Sequence, residues 1–184
     1  LSQSESDILN KFRNIINYYF EYDCLTFSVI NKDGKNAIIK LIDGVKKNLP
    51  SENSFNVNGT INGLPYVKND IVVGSNEQYN LFRFSPNENN DQTLNNFLSI
   101  PLFLNESLWG AITIERFRDY GYSNRDKNLL NLIGRAMQTS MSWFYEYHNI
   151  YEDAIKDGLT GLLNHKTFID RAQEEIERAR RFQH

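Results

Sequence analysis

Between Ser123 and Lys156 the apolar residues repeat every seven positions, in a pattern too long for one small domain to bury along one side. Leu130, Met137, Phe144 and Tyr151 form one set, and Ile133, Ser140, Tyr147 and Ala154 the other, with Ser140 the polar exception. Together they read as the a and d seam of a helix that pairs along its length. At 1.5 Å per residue, roughly 30 residues reach about 45 Å. The distal half therefore needs a partner, most simply the same helix of a second chain, and a homodimer is expected. Ser123 stands where an N-cap belongs, with Asp126 three residues on.

The rest of the chain supplies what this helix packs on. Ser4 to Tyr22 reads as a helix, with Ile8, Phe12, Ile15, Ile16, Tyr19 and Phe20 near a 3.6-residue period, Ser4 as cap, and Glu5 and Asp7 in the first turn. Leu25–Ile30 alternates apolar and polar, Asp33-Gly34 carries turn chemistry, and Ala37–Ile42 returns, which predicts a hairpin. A second hairpin runs from Phe97–Leu104 through Asn105-Glu106-Ser107 to Leu108–Glu115. Pro101 within it requires an edge, a strand end or a bulge. From Gly44 to about Leu94 the chain is polar and holds no apolar period. Short candidates there are Phe55–Val57, a helical turn near Thr60, Leu64–Val67 and Ile71–Val73, and Pro86–Asp91 is the segment expected to be flexible. An excursion of this length is usually functional or mobile. Asp157-Gly158 ends the long helix, and a shorter one, Lys166 to Phe182, shows an apolar stripe of Phe168, Ile169, Ala172 and Ile176.

Composition narrows the function. Of 184 residues, 40% are hydrophobic and 13% aromatic, so the chain can build a core. A net charge of -3 argues against a nucleic-acid binder, which needs a basic face. A single cysteine, Cys24, excludes a disulfide framework and a Cys-based zinc site. No apolar run spans a bilayer, and the first residues do not resemble a signal peptide. A cytoplasmic location is expected. The absence of an initiator Met suggests a piece of a longer protein.

Helix, hairpin, long excursion, hairpin and long helix, in that order, resemble a GAF domain. The most telling residues are Leu98-Ser99-Ile100-Pro101-Leu102, then Trp109-Gly110-Ala111-Ile112-Thr113-Ile114, similar to that family's central hairpin. Tyr122-Ser123-Asn124-Arg125-Asp126-Lys127-Asn128-Leu129-Leu130 follows, similar to its "FSxxDxxLL" entry into the last helix. The resemblance implies an α+β fold over residues 4–145: an antiparallel β-sheet flanked by N- and C-terminal helices, with a long C-terminal signalling helix whose stretch 146–156 is a coiled-coil linker. It also implies dimerisation through that helix and the N-terminal one. Asp157-Gly158-Leu159-Thr160-Gly161-Leu162-Leu163-Asn164-His165-Lys166-Thr167-Phe168 resembles the opening of a GGDEF domain, "DxLTGLxNRxxF", with His165 in place of the usual Arg. Residues 157–184 would then be the N-terminal fragment of that domain, without its catalytic part. The implied parent is a diguanylate cyclase, which condenses two GTP into cyclic di-GMP with Mg, and this fragment itself would catalyse nothing.

GAF domains hold ligands between sheet and excursion. By that resemblance the candidate ligand residues are Ser28, Thr60, Asn62, Asn69, Asp70, Tyr79, Phe82, Arg83, Ser99 and Thr113, for most of which a solvated loop is the plain alternative. Arg83 is the best anion partner, since a guanidinium takes a phosphate bidentately, and a surface Arg is the alternative. The amides near Gly59-Thr60-Ile61 would cap an anion if a helix begins there. The three histidines, His148, His165 and His184, lie outside the excursion and both hairpins, which disfavours haem and metal, and Cys24 reads as a small core residue. A cyclic nucleotide such as cAMP fits what remains. In the "NK...FxxxDE" pattern of cyclic-nucleotide GAF domains, Glu115-Arg116, Tyr122, Asp126 and Lys127 occupy the aligned positions. The basic residue, the aromatic and the Asp survive in kind, the Asn and the final Glu do not, and an Arg116–Asp126 salt bridge would lock hairpin to helix. The leading expectation is therefore a regulatory module binding a small ligand, and the alternative is a GAF dimerisation platform with none. A self-contained enzyme is disfavoured, for no Ser/His/Asp set, P-loop or metal cluster is present.

Overall fold

The computed structural model describes residues 4–44, 50, 52–85, 96–118, 120–158 and 160–182. Contacts divide the chain into two units, Leu1–Ser142 and Trp143–His184.

In the first unit, α1 (Glu5–Tyr19) starts at a capping box. Ser4 Oγ accepts the Asp7 N–H, and the Asp7 carboxylate accepts from the Ser4 N–H. The strands β1 (Cys24–Ile30), β2 (Asn36–Gly44), β3 (Ser54–Asn56), β4 (Val72–Ser75), β5 (Asn96–Leu104) and β6 (Ser107–Arg116) form one sheet, in the order β3-β2-β1-β6-β5-β4. Every neighbouring pair is antiparallel. Both hairpins expected from the turn chemistry are present. Asp33 Oδ1 accepts the Lys35 and Asn36 amides in the first, and Asn105 and Glu106 both hold positive φ in the second, as a two-residue primed turn requires. Pro101 sits on an interior strand without penalty, because β4 pairs only with residues 96–99 and stops short of it.

Cross-strand partners share a face of an antiparallel sheet, so the register sorts the side chains into two layers. Leu25, Phe27, Leu41, Leu98, Ile100, Leu102, Ile112 and Ile114 lie on one face. There α4 (Asn124–Ile155) packs so closely that Gly134 lies against Ile100 and Leu102, and Leu130, Ile133, Met137 and Met141 are buried. The first half of the seven-residue repeat is thus core of its own domain, and is spent on the sheet rather than on a second helix. α1 buries Ile8, Leu9, Phe12 and Ile16, and flanks a groove shared with Lys40–Ile42 of β2.

The opposite face is covered by the excursion, through α2 (Leu64–Lys68) and α3 (Asn76–Tyr79) and the turns between 57 and 85. Apolar clusters hold it down: Phe55, Val57, Tyr66 and Phe84 with Ala37 and Ala111, and Ile61 and Leu64 with Val72 and Phe97. Gly63 permits the closest approach. A Cβ there would run into the backbone carbonyl of Val57. The expected helical turn at Thr60 is instead a turn that bridges Phe82 in parallel, and the short helix begins only at Leu64. Segment 86–91 lies outside the described residues.

In the second unit, α4 ends at a compact turn. Asp157 Oδ1 accepts from the Thr160 N–H (3.0 Å) and hydroxyl (2.8 Å), and Gly161, at φ +68°, donates its N–H to the Asp157 carbonyl. Asn164 donates to the Ala154 carbonyl (2.7 Å), and its Oδ1 caps α5 (His165–Phe182) through the Thr167 N–H (2.9 Å). The expected apolar stripe of this helix, Phe168, Ile169 and Ile176, is exposed. On α4, Trp143, Tyr147 and Ile150, spaced by four and three, are also exposed, while Phe144 is half-buried beside His148. The uncovered distal stripe therefore includes Trp143 and Ile150, which the heptad count omits.

Candidate functional site

The covered sheet face is polar where a core is normally apolar. Thr26 and Ser28 on β1, Ser99 on β5, and Thr113 and Glu115 on β6 alternate along neighbouring strands, each at 2% exposure or less. Burying such groups is costly unless they are bonded, and most are. Ser99 and Thr113 share a hydrogen bond of 3.0 Å, and Ser28 meets the Tyr66 hydroxyl at 2.8 Å. Burial pushes the Tyr66 phenol well above its usual range.

The centre of the layer is an ion pair. Arg83 Nε and Nη2 both lie 2.7 Å from Glu115 Oε2, with side chains 3% and 0% exposed. Asn62 Nδ2 donates to Glu115 Oε1 (3.3 Å) and to the Arg83 carbonyl (3.2 Å). Those two acceptors settle the amide's orientation and leave Asn62 Oδ1 buried with no partner among the described residues. Arg83 also donates to the Cys24 thiol. Burial, then the Glu115 charge, push that thiol far above its usual range, so it is no nucleophile.

Of the ten residues expected around a ligand, the fold brings Ser28, Asn62, Arg83, Ser99 and Thr113 into this layer. Thr60 is buried and donates to the Asn56 carbonyl (3.0 Å), and Phe82, half-buried, pairs with it. Asn69 and Asp70 are exposed beyond α2, where Asn69 takes the left-handed conformation that ends the helix. Tyr79 packs on Phe97 at 5.6 Å between ring centroids. Of the Gly59-Thr60-Ile61 amides expected near an anion, that of Ile61 is taken by the Phe82 carbonyl. Arg116 does not reach for Asp126. It donates to the Glu21 carbonyl (2.7 Å) and stacks on Tyr122 (4.3 Å), while Asp126 closes the capping box with Ser123. Sequence reasoning missed Glu115 and Tyr66 as members of the layer. The available signal was the row of polar residues at alternate positions of β1, β5 and β6. Among the described residues no group of three His, Cys, Asp or Glu is placed to hold a metal ion, and no helix is long and apolar enough to cross a membrane.

No family model and no curated protein matches the sequence. Solved structures do match. The GAF domain of a two-component sensor histidine kinase from Bacillus halodurans superposes at TM-score 0.65 with 14% identity, over 79% of this chain and 99% of that one. The GAF domain/HD domain protein from Geobacter sulfurreducens gives 0.64 at 9% identity over 78% and 95%. A type II free methionine-R-sulfoxide reductase from Thermoplasma acidophilum gives 0.60 at 18% over 76% and 92%. With its six-stranded antiparallel sheet and flanking helices, this chain has the fold of a GAF domain.

Proposed function

We propose that the chain is the sensory part of a signalling protein, in which a small polar ligand binds beneath the excursion and α4 passes its occupancy to the module that follows. The observation that carries this is the buried polar layer with its orphan acceptor, Asn62 Oδ1. An unpaired buried acceptor costs about 1–3 kcal/mol, and a ligand N–H or O–H placed there recovers it. Cyclic AMP is the first nucleotide to test, on the resemblance given above. Glu115 already neutralises Arg83, however, so a phosphate there has to displace a carboxylate, and a neutral polar ligand fits the layer better. The sequence 157–168 supports a diguanylate cyclase as the following module. The exposed stripe of Trp143, Tyr147 and Ile150 supports pairing of α4 with its copy in a second chain. Exposed Tyr18 and Tyr19 on α1 support a further contribution from that helix.

A thermal-shift panel of cyclic AMP, cyclic GMP, other nucleotides and neutral metabolites tests the ligand. A binder at 100 times its dissociation constant adds about 2.7 kcal/mol. A flat panel favours the second reading, a dimerisation platform, which the mutual closure of Ser99 with Thr113 and Ser28 with Tyr66 supports. Sulfoxide reduction, the activity named for several of the structural neighbours, is disfavoured. It needs a thiolate, and burial holds the Cys24 thiol far above its usual range.

A further inference from the structure

Two neighbouring side chains at the end of β6 point to opposite faces of the sheet. Glu115 follows Thr113 into the buried polar layer, where it holds Arg83 and Asn62. Arg116 follows Ile112 and Ile114 to the face on which α4 packs. There it spreads across the entry to that helix. Its Nε donates to the Glu21 carbonyl (2.7 Å) and its Nη1 to the Gly121 carbonyl (3.5 Å). Its guanidinium lies 4.9 Å from the Tyr120 ring centre and 4.3 Å from that of Tyr122, the residue before the cap Ser123. Backbone bonds fasten the same strand end. Asp23 gives its N–H to the Glu115 carbonyl (2.8 Å), and its carboxylate takes the Phe117 N–H (2.7 Å).

Each side of this pair also carries a buried polar atom left unsatisfied. On the layer side it is Asn62 Oδ1, and on the α4 side the Tyr122 hydroxyl; neither has a hydrogen-bond partner among the described residues. Both belong to direct neighbours of the pair, since Asn62 bonds the Glu115 carboxylate and Arg116 lies over the Tyr122 ring. Buried polar groups are normally paired, so a junction that leaves two unmet is one that a second arrangement can improve. We propose that Glu115-Arg116 is the coupling point of the domain. A change in the hydrogen bonds of the layer moves the end of β6, and Arg116, a positioning residue, carries that movement to the first turn of α4. This rests on the reading of α4 as the outlet of a sensor, and adds the residue through which the layer reaches it. A ligand that satisfies Asn62 Oδ1 acts on α4 by this route without touching the helix.

Amide hydrogen exchange of this chain, followed by NMR with no ligand present, tests it in the parent, Asn62→Leu, Arg116→Met and the double variant. Asn62→Leu removes the bonds to the Glu115 carboxylate and the Arg83 carbonyl. The readout is local opening at Asp126 and Lys127, whose N–H groups are held by the Ser123 hydroxyl and carbonyl. With Arg116 in place, Asn62→Leu should change their protection about fivefold, the low end of coupling between linked sites. In the Arg116→Met background it should leave them unchanged. The Ile61 N–H, bonded to the Phe82 carbonyl, should respond to Asn62→Leu in both backgrounds. A merely structural Arg116 would lower protection of α4 when replaced but leave the response to Asn62→Leu intact, and that result overturns the proposal. So do α4 amides that ignore Asn62→Leu in the parent. The smaller changes Asn62→Ser and Arg116→Lys carry the test if circular dichroism shows either first choice unfolded, the lysine keeping the charge without the stacked plane. Because no ligand enters, a flat thermal-shift panel counts against the sensor reading alone, and an unresponsive α4 against the coupling alone.

Discussion

Replacing Glu115 by Gln tests the centre of the buried layer. Both carboxylate oxygens are acceptors: Oε2 takes two Arg83 nitrogens and Oε1 takes the Asn62 amide. A glutamine has one acceptor oxygen, so either way round its NH₂ faces a donor. The change also leaves the Arg83 guanidinium, 3% exposed, without its counter-charge. Breaking one side of a buried pair costs about 3–5 kcal/mol, a large part of the ~5–15 kcal/mol that holds a domain together. The melting temperature should fall by about 6–20 °C, at roughly 2–4 °C per kcal/mol for a chain of this size. Urea titration with a shared m-value measures the loss directly. The double variant Arg83→Met/Glu115→Met removes both charges and should recover most of it, because an apolar replacement of a whole buried pair is often neutral. A Glu115→Gln loss below about 1 kcal/mol, or a double variant no better than the single one, refutes the reasoning. Arg83 would then be available to an anion, and the nucleotide reading would gain what it now lacks.

Tyr66→Phe strips Ser28 of its partner inside the layer and should cost about 1 kcal/mol by chemical denaturation, with the fold intact. Gly63→Ala drives a methyl into the Val57 carbonyl and should cost about 1–3 kcal/mol, with the excursion's amides exchanging faster than those of β1 and β6. The cap of α1 should be acid-labile. The Ser4 backbone and hydroxyl bonds hold the Asp7 carboxyl below its usual value, so its contribution is whole above the unfolded pKa of about 4 and is lost as pH falls through the folded value. Protection of the Asp7 and Ile8 amides, taken relative to the intrinsic exchange rate at each pH, that does not fall below pH about 4 contradicts this. Ile150→Glu should weaken self-association of the chain in sedimentation velocity, whereas unchanged association removes the distal stripe from the interface.

Local chemistry alone determined much of this molecule. Ser4, Ser123 and Asn164 cap helices because their oxygens reach amides three residues on, and such contacts are settled within one turn of chain. The hairpins followed from Asp33-Gly34 and from the run ending at Asn105-Glu106, and the order of elements was enough to expect the GAF fold. Tertiary structure decided what those signals could not reach. Glu115 lies 32 residues from Arg83 and 53 from Asn62, and only the pairing of β6 with β1, closed over by the excursion, makes the three a cluster. The same limit split the heptad pattern. A seven-residue repeat shows that one side of a helix is apolar but not what covers it, and the sheet took Leu130, Ile133 and Met137 while Trp143, Tyr147 and Ile150 stayed exposed. Periodicity is a property of one segment, whereas burial is a relation between two, and the second exists only once the chain has folded.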